Sequence, residues 1–143
     1  MRFWDSSAVI PLCFKESSSE IMKRLFKADE DMVVWWATRV ECQSALARRR
    51  REGVLSKEAE LKARDILTAL SSHWSEIQST ELVRQRAERL LMIHPLRTAD
   101  VLQLSAALIW AEESPKGQAV VCLDHNLRNA AHKEGFVVLP EKF

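Results

Sequence analysis

The sequence has little that bends, cross-links or anchors a chain. Glycine occurs 3 times and proline 4 times in 143 residues, which excludes collagen-like, low-complexity and linker-rich classes. Cys13, Cys42 and Cys122 are odd in number, far apart and free of any C-x-x-C spacing. Neither a disulfide framework nor a zinc site follows from them, and reduced, buried thiols are expected. No apolar run approaches the roughly 20 residues that span a bilayer. Asp5 and Lys15 interrupt the N-terminal apolar stretch, so no cleavable leader is read there. A cytoplasmic protein without membrane contact is expected.

Charge of one sign is missing too. Lys+Arg of 21 against Asp+Glu of 20 leaves a formal net charge of +1, so any nucleic-acid contact must come from local patches. No G-x-G-x-x-G, Walker or G-x-S-x-G motif occurs, which disfavours dinucleotide, NTPase and serine-hydrolase chemistry. His73, His94, His125 and His132 lack the H-x-x-x-H or Cys/His spacing of a metal site. No repeat or Pro/Ser-rich linker divides the chain, and one domain over residues 1–143 is expected.

What is present is an alternation of short apolar runs and amphipathic stretches. Strands are predicted at Arg2 to Trp4, Met32 to Trp36, Trp74 to Ile77 (an edge strand), Ala119 to Leu123 and Phe136 to Leu139. Helices are predicted at Ser7 to Phe14, with Pro11 kinking or shortening it, and from about Ser18 to Lys27. Thr38 to Glu41 matches the S/T-x-x-E capping box and opens a helix to about Arg51. Further helices run from near Ser56, from Thr80 to Met92, from Thr98 to Ala111 and from Asn126 to Lys133. The stretch 98–111 is apolar almost all round, as in a helix buried against other elements. Strands alternating with helices imply a three-layer α/β/α sandwich on a central parallel sheet of four to five short strands.

Four acids occupy related places. Asp5, Glu41 and Asp124 lie where a strand hands over to a helix, and Asp100 opens the most buried helix. Helix capping accounts for each singly: Asp5 and Asp124 as N-caps, Glu41 in the capping box, Asp100 behind a Thr98 cap. Together they say more, because a parallel sheet aligns the strand ends that lead into helices along one ligand-binding edge. Neighbouring carboxylates repel and raise one another's pKa unless a cation neutralises them. Mg²⁺ or Mn²⁺ takes oxygen ligands, and such a centre suits phosphodiester hydrolysis.

These segments resemble the PIN domain, and within it the VapC-type ribonuclease toxins of type II toxin–antitoxin pairs. The resemblance is carried by "FWDSSAVIPL", "TRVECQSALARR", "LRTADVLQLSAAL" and "VVCLDHNLRNAAHKEGF", in order across nearly the whole chain. It implies Mg²⁺- or Mn²⁺-dependent cleavage of RNA, with Asp5, Glu41, Asp100 and Asp124 as catalytic and metal-binding acids. Asp124 falls in the family's most variable motif, where orienting water is the alternative to ligation. Ser7 matches the hydroxyl residue two positions after the first acid, and Thr98 is expected beside it as a supporting residue. A homodimer and inhibition by a small VapB-like antitoxin are also implied. Trp35 and Trp36 stand where many members carry smaller residues, and they either narrow the groove or pack against a partner.

Two kinds of cation accompany the acids. Arg39 and Arg97, near the acidic edge, are candidates for positioning RNA phosphate, with surface ion pairs as the alternative. Arg48 to Arg51 close their helix, where cations suit the dipole. At 1.5 Å rise per residue the run is expected roughly 15 Å from Glu41, able to track a long substrate but not to assist chemistry. A competing reading of the whole chain is a PIN-like regulator that binds RNA or protein without cutting.

Overall fold

The computed structural model describes residues 1–143. Five strands, β1 (Arg2–Trp4), β2 (Met32–Trp35), β3 (Ser75–Ile77), β4 (Ala119–Val121) and β5 (Val137–Leu139), form one sheet in the order β3-β2-β1-β4-β5. Every pairing is parallel. Seven helices cover it: α1 (Ser6–Cys13), α2 (Ser19–Ala28), α3 (Thr38–Arg51), α4 (Lys57–Ser71), α5 (Glu81–Leu91), α6 (Thr98–Trp110) and α7 (His125–Glu134). The expected three-layer sandwich is borne out, with β3 at an edge.

The strands read as unbroken apolar runs because both faces of the sheet are covered. All four residues of β2 are buried. Their alternation sorts two cores: Phe3, Val33, Trp35 and Val120 face α5, α6 and α7. Trp4, Met32, Val34 and Val121 face α1 to α4. This division follows from right-handed crossovers. The chain moves outward from β1 through β2 to β3, with helices on one face. It then returns past β1 to β4 and β5, which puts α5 to α7 on the other.

Two expected caps are replaced. Thr38 is the first residue of α3, not its cap; Ala37 holds that place and no side chain caps the helix. The Thr38 and Glu41 side chains turn inward instead, where Gln103 of α6 reaches both. Thr98 likewise begins α6 behind an Arg97 cap that makes no side-chain bond. Ser56, Thr80, Asp5 and Asp124 do cap their helices, accepting from Ala59, Val83, Ser7 and Leu127 N–H. Strands β2 and β4 end earlier than their apolar runs, leaving Trp36 and Leu123 beyond the ladder.

Helix α7 ends on Gly135 at φ 105°, and a Cβ there would stand 3.3 Å from Pro115 Cγ. Gly135→Ala combines a disfavoured backbone region with a tight contact, and it is expected to lower unfolding free energy by about 1–2 kcal/mol. Urea denaturation should show a lower midpoint with an unchanged slope.

Candidate active site

Strand order places β1 between strands that were reached in opposite directions. The crevice beyond the carboxyl ends of β1 and β4 is therefore the topological switch point, where open parallel sheets bind ligands. Asp5 follows β1 directly and Asp124 follows β4 by three residues. The Asp5 N–H donates to the Val121 carbonyl at 3.0 Å, continuing the ladder into the site. Glu41 enters from the first turn of α3 and Asp100 from the first turn of α6. All four acids line one cleft of about 840 Å³.

Each carboxylate is held by one oxygen at most. Asp5 Oδ2 accepts from the Ser7 N–H at 3.0 Å, from the Ser7 hydroxyl, and from the Cys122 thiol at 3.7 Å. Glu41 Oε2 accepts from Ser6 Oγ and Gln103 Nε2, both at 3.0 Å. Asp124 Oδ1 accepts from the Leu127 N–H at 2.9 Å. The second oxygens of these three, and both oxygens of Asp100, take no protein donor. Ser7 also accepts from the Leu123 N–H at 2.9 Å, so one hydroxyl ties Asp5 to the end of β4.

Crowding and burial work against ionisation here. Asp5 is only 4% exposed; desolvation pushes its pKa up, the Ser7 hydrogen bonds oppose that, and Asp124 adds repulsion. Glu41 is raised first by desolvation, against the Gln103 hydrogen bond, with further repulsion from Asp5 and Asp100. Asp100 rises to about 6 through desolvation and the charges of Asp124 and Asp5, against the opposing pull of Arg97. Burial, reinforced by Asp5, keeps the Cys122 thiol protonated.

The donor set is all oxygen, which suits a hard divalent cation. No three Asp, Glu, His or Cys side chains stand close enough together to enclose an ion by themselves. Mg²⁺ does not require that, since it keeps several waters and uses one or two carboxylates with substrate phosphate. One or two of these carboxylates, with water and substrate phosphate around them, are what such an ion would use.

Other expected residues divide. Arg97 is exposed but close enough to act on Asp100. Thr98 is exposed and does not line the cleft. Arg39 lines a smaller hollow beside it. Two members of the arginine run, Arg48 and Arg49, line the cleft itself. They lie seven and eight residues after Glu41, on the same side of the helix and about 10–12 Å along the axis. Arg49 is fixed by Glu16 at 2.8 Å and by the Phe14 ring at 5.3 Å; Arg48 is exposed.

Ser6, Gln103 and Cys122 escaped sequence reasoning. Gln103, 1% exposed, donates to Thr38 Oγ1 and Glu41 Oε2, both at 3.0 Å, while its own Oε1 is buried without a partner. A glutamine inside an otherwise apolar helix was the available signal.

No protein-family model matches the sequence, and no curated protein matches it. Solved structures do match in fold. PAE2754 from Pyrobaculum aerophilum aligns over 96% of this chain and 83% of its own, at TM-score 0.66 and 20% identity. Mycobacterium tuberculosis VapC20, a Sarcin-Ricin loop cleaving toxin, aligns over 96% and 97%, at 0.68 and 18%. A toxin-antitoxin complex from Klebsiella pneumoniae aligns over 87% of each chain, at 0.60 and 15%. At these identities the likeness establishes a shared fold.

Raised carboxyl pKa values have a consequence for stability. The folded chain holds these protons to higher pH than the unfolded chain, so the contribution of Asp100 is complete below 3.8 and is lost as pH rises through about 6. Asp100→Asn is expected to raise the melting temperature by a few degrees at pH 8 in EDTA, with the gain vanishing near pH 3. Thermal melts across that range check it; no gain at pH 8 would contradict a cost of holding the Asp100 charge desolvated beside the other acids.

Proposed function

We propose that the chain is a VapC-like PIN-domain endoribonuclease, hydrolysing RNA phosphodiester bonds with Mg²⁺ or Mn²⁺, and the toxin of a type II toxin–antitoxin pair. The supporting observation is that Asp5, Glu41, Asp100 and Asp124, from four separate segments, line one cleft at the switch point and present oxygens that no protein group satisfies. A structural role for these acids would instead favour fully paired or neutral caps.

Asp5 and Asp100 would be the principal ligands, and Glu41 would act through a water of the ion's shell, since no three of these side chains close on one point. When bound, the cation supplies Lewis acidity and offsets charge on the scissile phosphate. The chain does the rest. Ser7 orients Asp5, and Ser6 with Gln103 orients Glu41. Asp124, steadied by the Leu127 N–H, orients the attacking water. Arg48 meets backbone phosphate where the substrate leaves the acidic end, which makes binding salt-sensitive.

The partners follow the same reading. An acidic cleft that holds a cation is also open to a basic side chain, and an antitoxin Arg or Lys placed there would neutralise the acids. Exposed Leu91, Met92 and Ile93 at the end of α5 form an apolar patch consistent with a homodimer. No helix is long and apolar enough to cross a membrane.

The experiment is incubation of the purified chain with total cellular RNA in Mg²⁺, Mn²⁺ or EDTA, with the cut ends mapped. Asp5→Asn and Asp100→Asn are expected to lose cleavage by about a hundredfold or more while folded, and retained cleavage in either would sink the site assignment. Gln103→Leu and Ser7→Ala should lose about 10- to 100-fold, since they act by orienting ligands. Calorimetric titration with Mn²⁺ separates the nuclease from a binding-only regulator, which need not take up the ion. Alanine replacement of the antitoxin's inhibiting basic residue should restore cleavage; unchanged inhibition would refute that mode of control.

A further inference from the structure

Beside the acidic cleft, the chain exposes a large aromatic ring on a rigid support. Trp35 ends β2 in the core, while Trp36 is 52% exposed. Its backbone N–H donates to Ile77 O at 3.0 Å, and its ring meets Trp35 edge-on at 6.5 Å and 71°. Trp36 borders a hollow of about 300 Å³ with Arg39, Val40, Gln43 and Glu76. Val40 lines the carboxylate cleft as well, so the two depressions adjoin across one side chain.

The polar groups of this hollow are unfinished. Gln43 Oε1 is shielded from solvent and has no donor, a state that buried acceptors in native proteins seldom keep. Glu76 Oε2 accepts from Trp74 Nε1 at 3.0 Å, which leaves Oε1 as a second acceptor. Donors stand at the rim: Arg39 is exposed, and the first turn of α3 has no side-chain cap on its N–H groups.

We infer that this hollow is a nucleobase subsite, in which an unpaired base of the RNA stacks on Trp36 and the Gln43 side chain turns outward, so that Gln43 Oε1 and Glu76 Oε1 accept hydrogen bonds from the base's edge. Arg39 and the first turn of α3 hold that nucleotide's phosphate. This rests on the nuclease reading above and adds to it a determinant of where the strand is cut. Single-stranded RNA is recognised by stacking unpaired bases on aromatic rings and reading their edges. Two acceptors select guanine, whose N1–H and exocyclic amine are donors on one edge. The hollow admits one planar ring system and is too small for a peptide helix, which favours a base over a protein partner.

The test measures binding by fluorescence anisotropy in an Asp100→Asn background, where hydrolysis does not interfere. The probes are labelled hexauridylate and the same hexamer with one central guanosine, adenosine or cytidine. Trp36→Ala is expected to weaken the guanosine hexamer about tenfold or more, and Trp36→Phe to keep most of the affinity. Gln43→Leu should erase the preference for guanosine over uridine and leave hexauridylate unchanged. If Trp36→Ala, folded by circular dichroism, binds all four hexamers like its parent, the subsite does not exist. A sedimentation shift in that same variant would then assign Trp36 to a protein contact. Tryptophan-dependent binding by a chain that cuts no RNA would uphold the subsite and refute the nuclease.

Discussion

The pairing of β1 with β4 is the constraint on which the site depends. These strands meet across the switch point, and the Asp5 N–H to Val121 carbonyl bond carries their ladder one residue further. Ser7 then completes the joint, donating to Asp5 Oδ2 and accepting from the Leu123 N–H. One hydroxyl thereby sets the first acid and positions the segment that delivers the fourth. Both strands are short and buried, so their register admits little slippage. A slip by one residue would turn Asp5 out of the cleft and Trp4 out of its core.

Against that rigid joint stands an unfavourable electrostatic arrangement. Asp5 is nearly inaccessible, Asp100 has its pKa pushed up to about 6, and Glu41 is raised by burial and by two neighbouring acids. Packing overrides this cost: Trp4, Val9, Cys42 and Leu46 hold α1 and α3 to one face, and Val101 and Leu104 hold α6 to the other. The strain is concentrated where a cation and a phosphate would relieve it, as functional sites commonly arrange. Four buried polar atoms lack a partner, the Gln103 and Gln43 Oε1 atoms and the Trp4 and Trp35 Nε1 groups.

Much of the fold was legible because its signals are local. Strands of β-branched and aromatic residues, and the helix starts near Ser56 and Thr80, are each written within a few residues. Boundaries drifted where the apolar run outlasted the ladder, as at Trp36 and Leu123. The capping box at Thr38 failed for a different reason: its two polar side chains found a partner in Gln103, 62 and 65 residues away. Local pattern matching had no access to that competition. Helix length gives the rise along the arginine run but not which face a residue presents, and only the structure shows that Arg48 and Arg49 line the cleft with Glu41.

The amino-acid sequence by itself determined the alternation of elements, the parallel class of the sheet and the four acids at element junctions, since each depends on short-range propensity and periodicity. Tertiary structure alone decided which oxygens stay unpaired, that Ser6, Ser7 and Gln103 orient the acids, and that Trp36 lies across Val40 from the cleft. Those facts depend on contacts between residues far apart in the chain, and such contacts exist only once the crossovers have closed around β1 and β4.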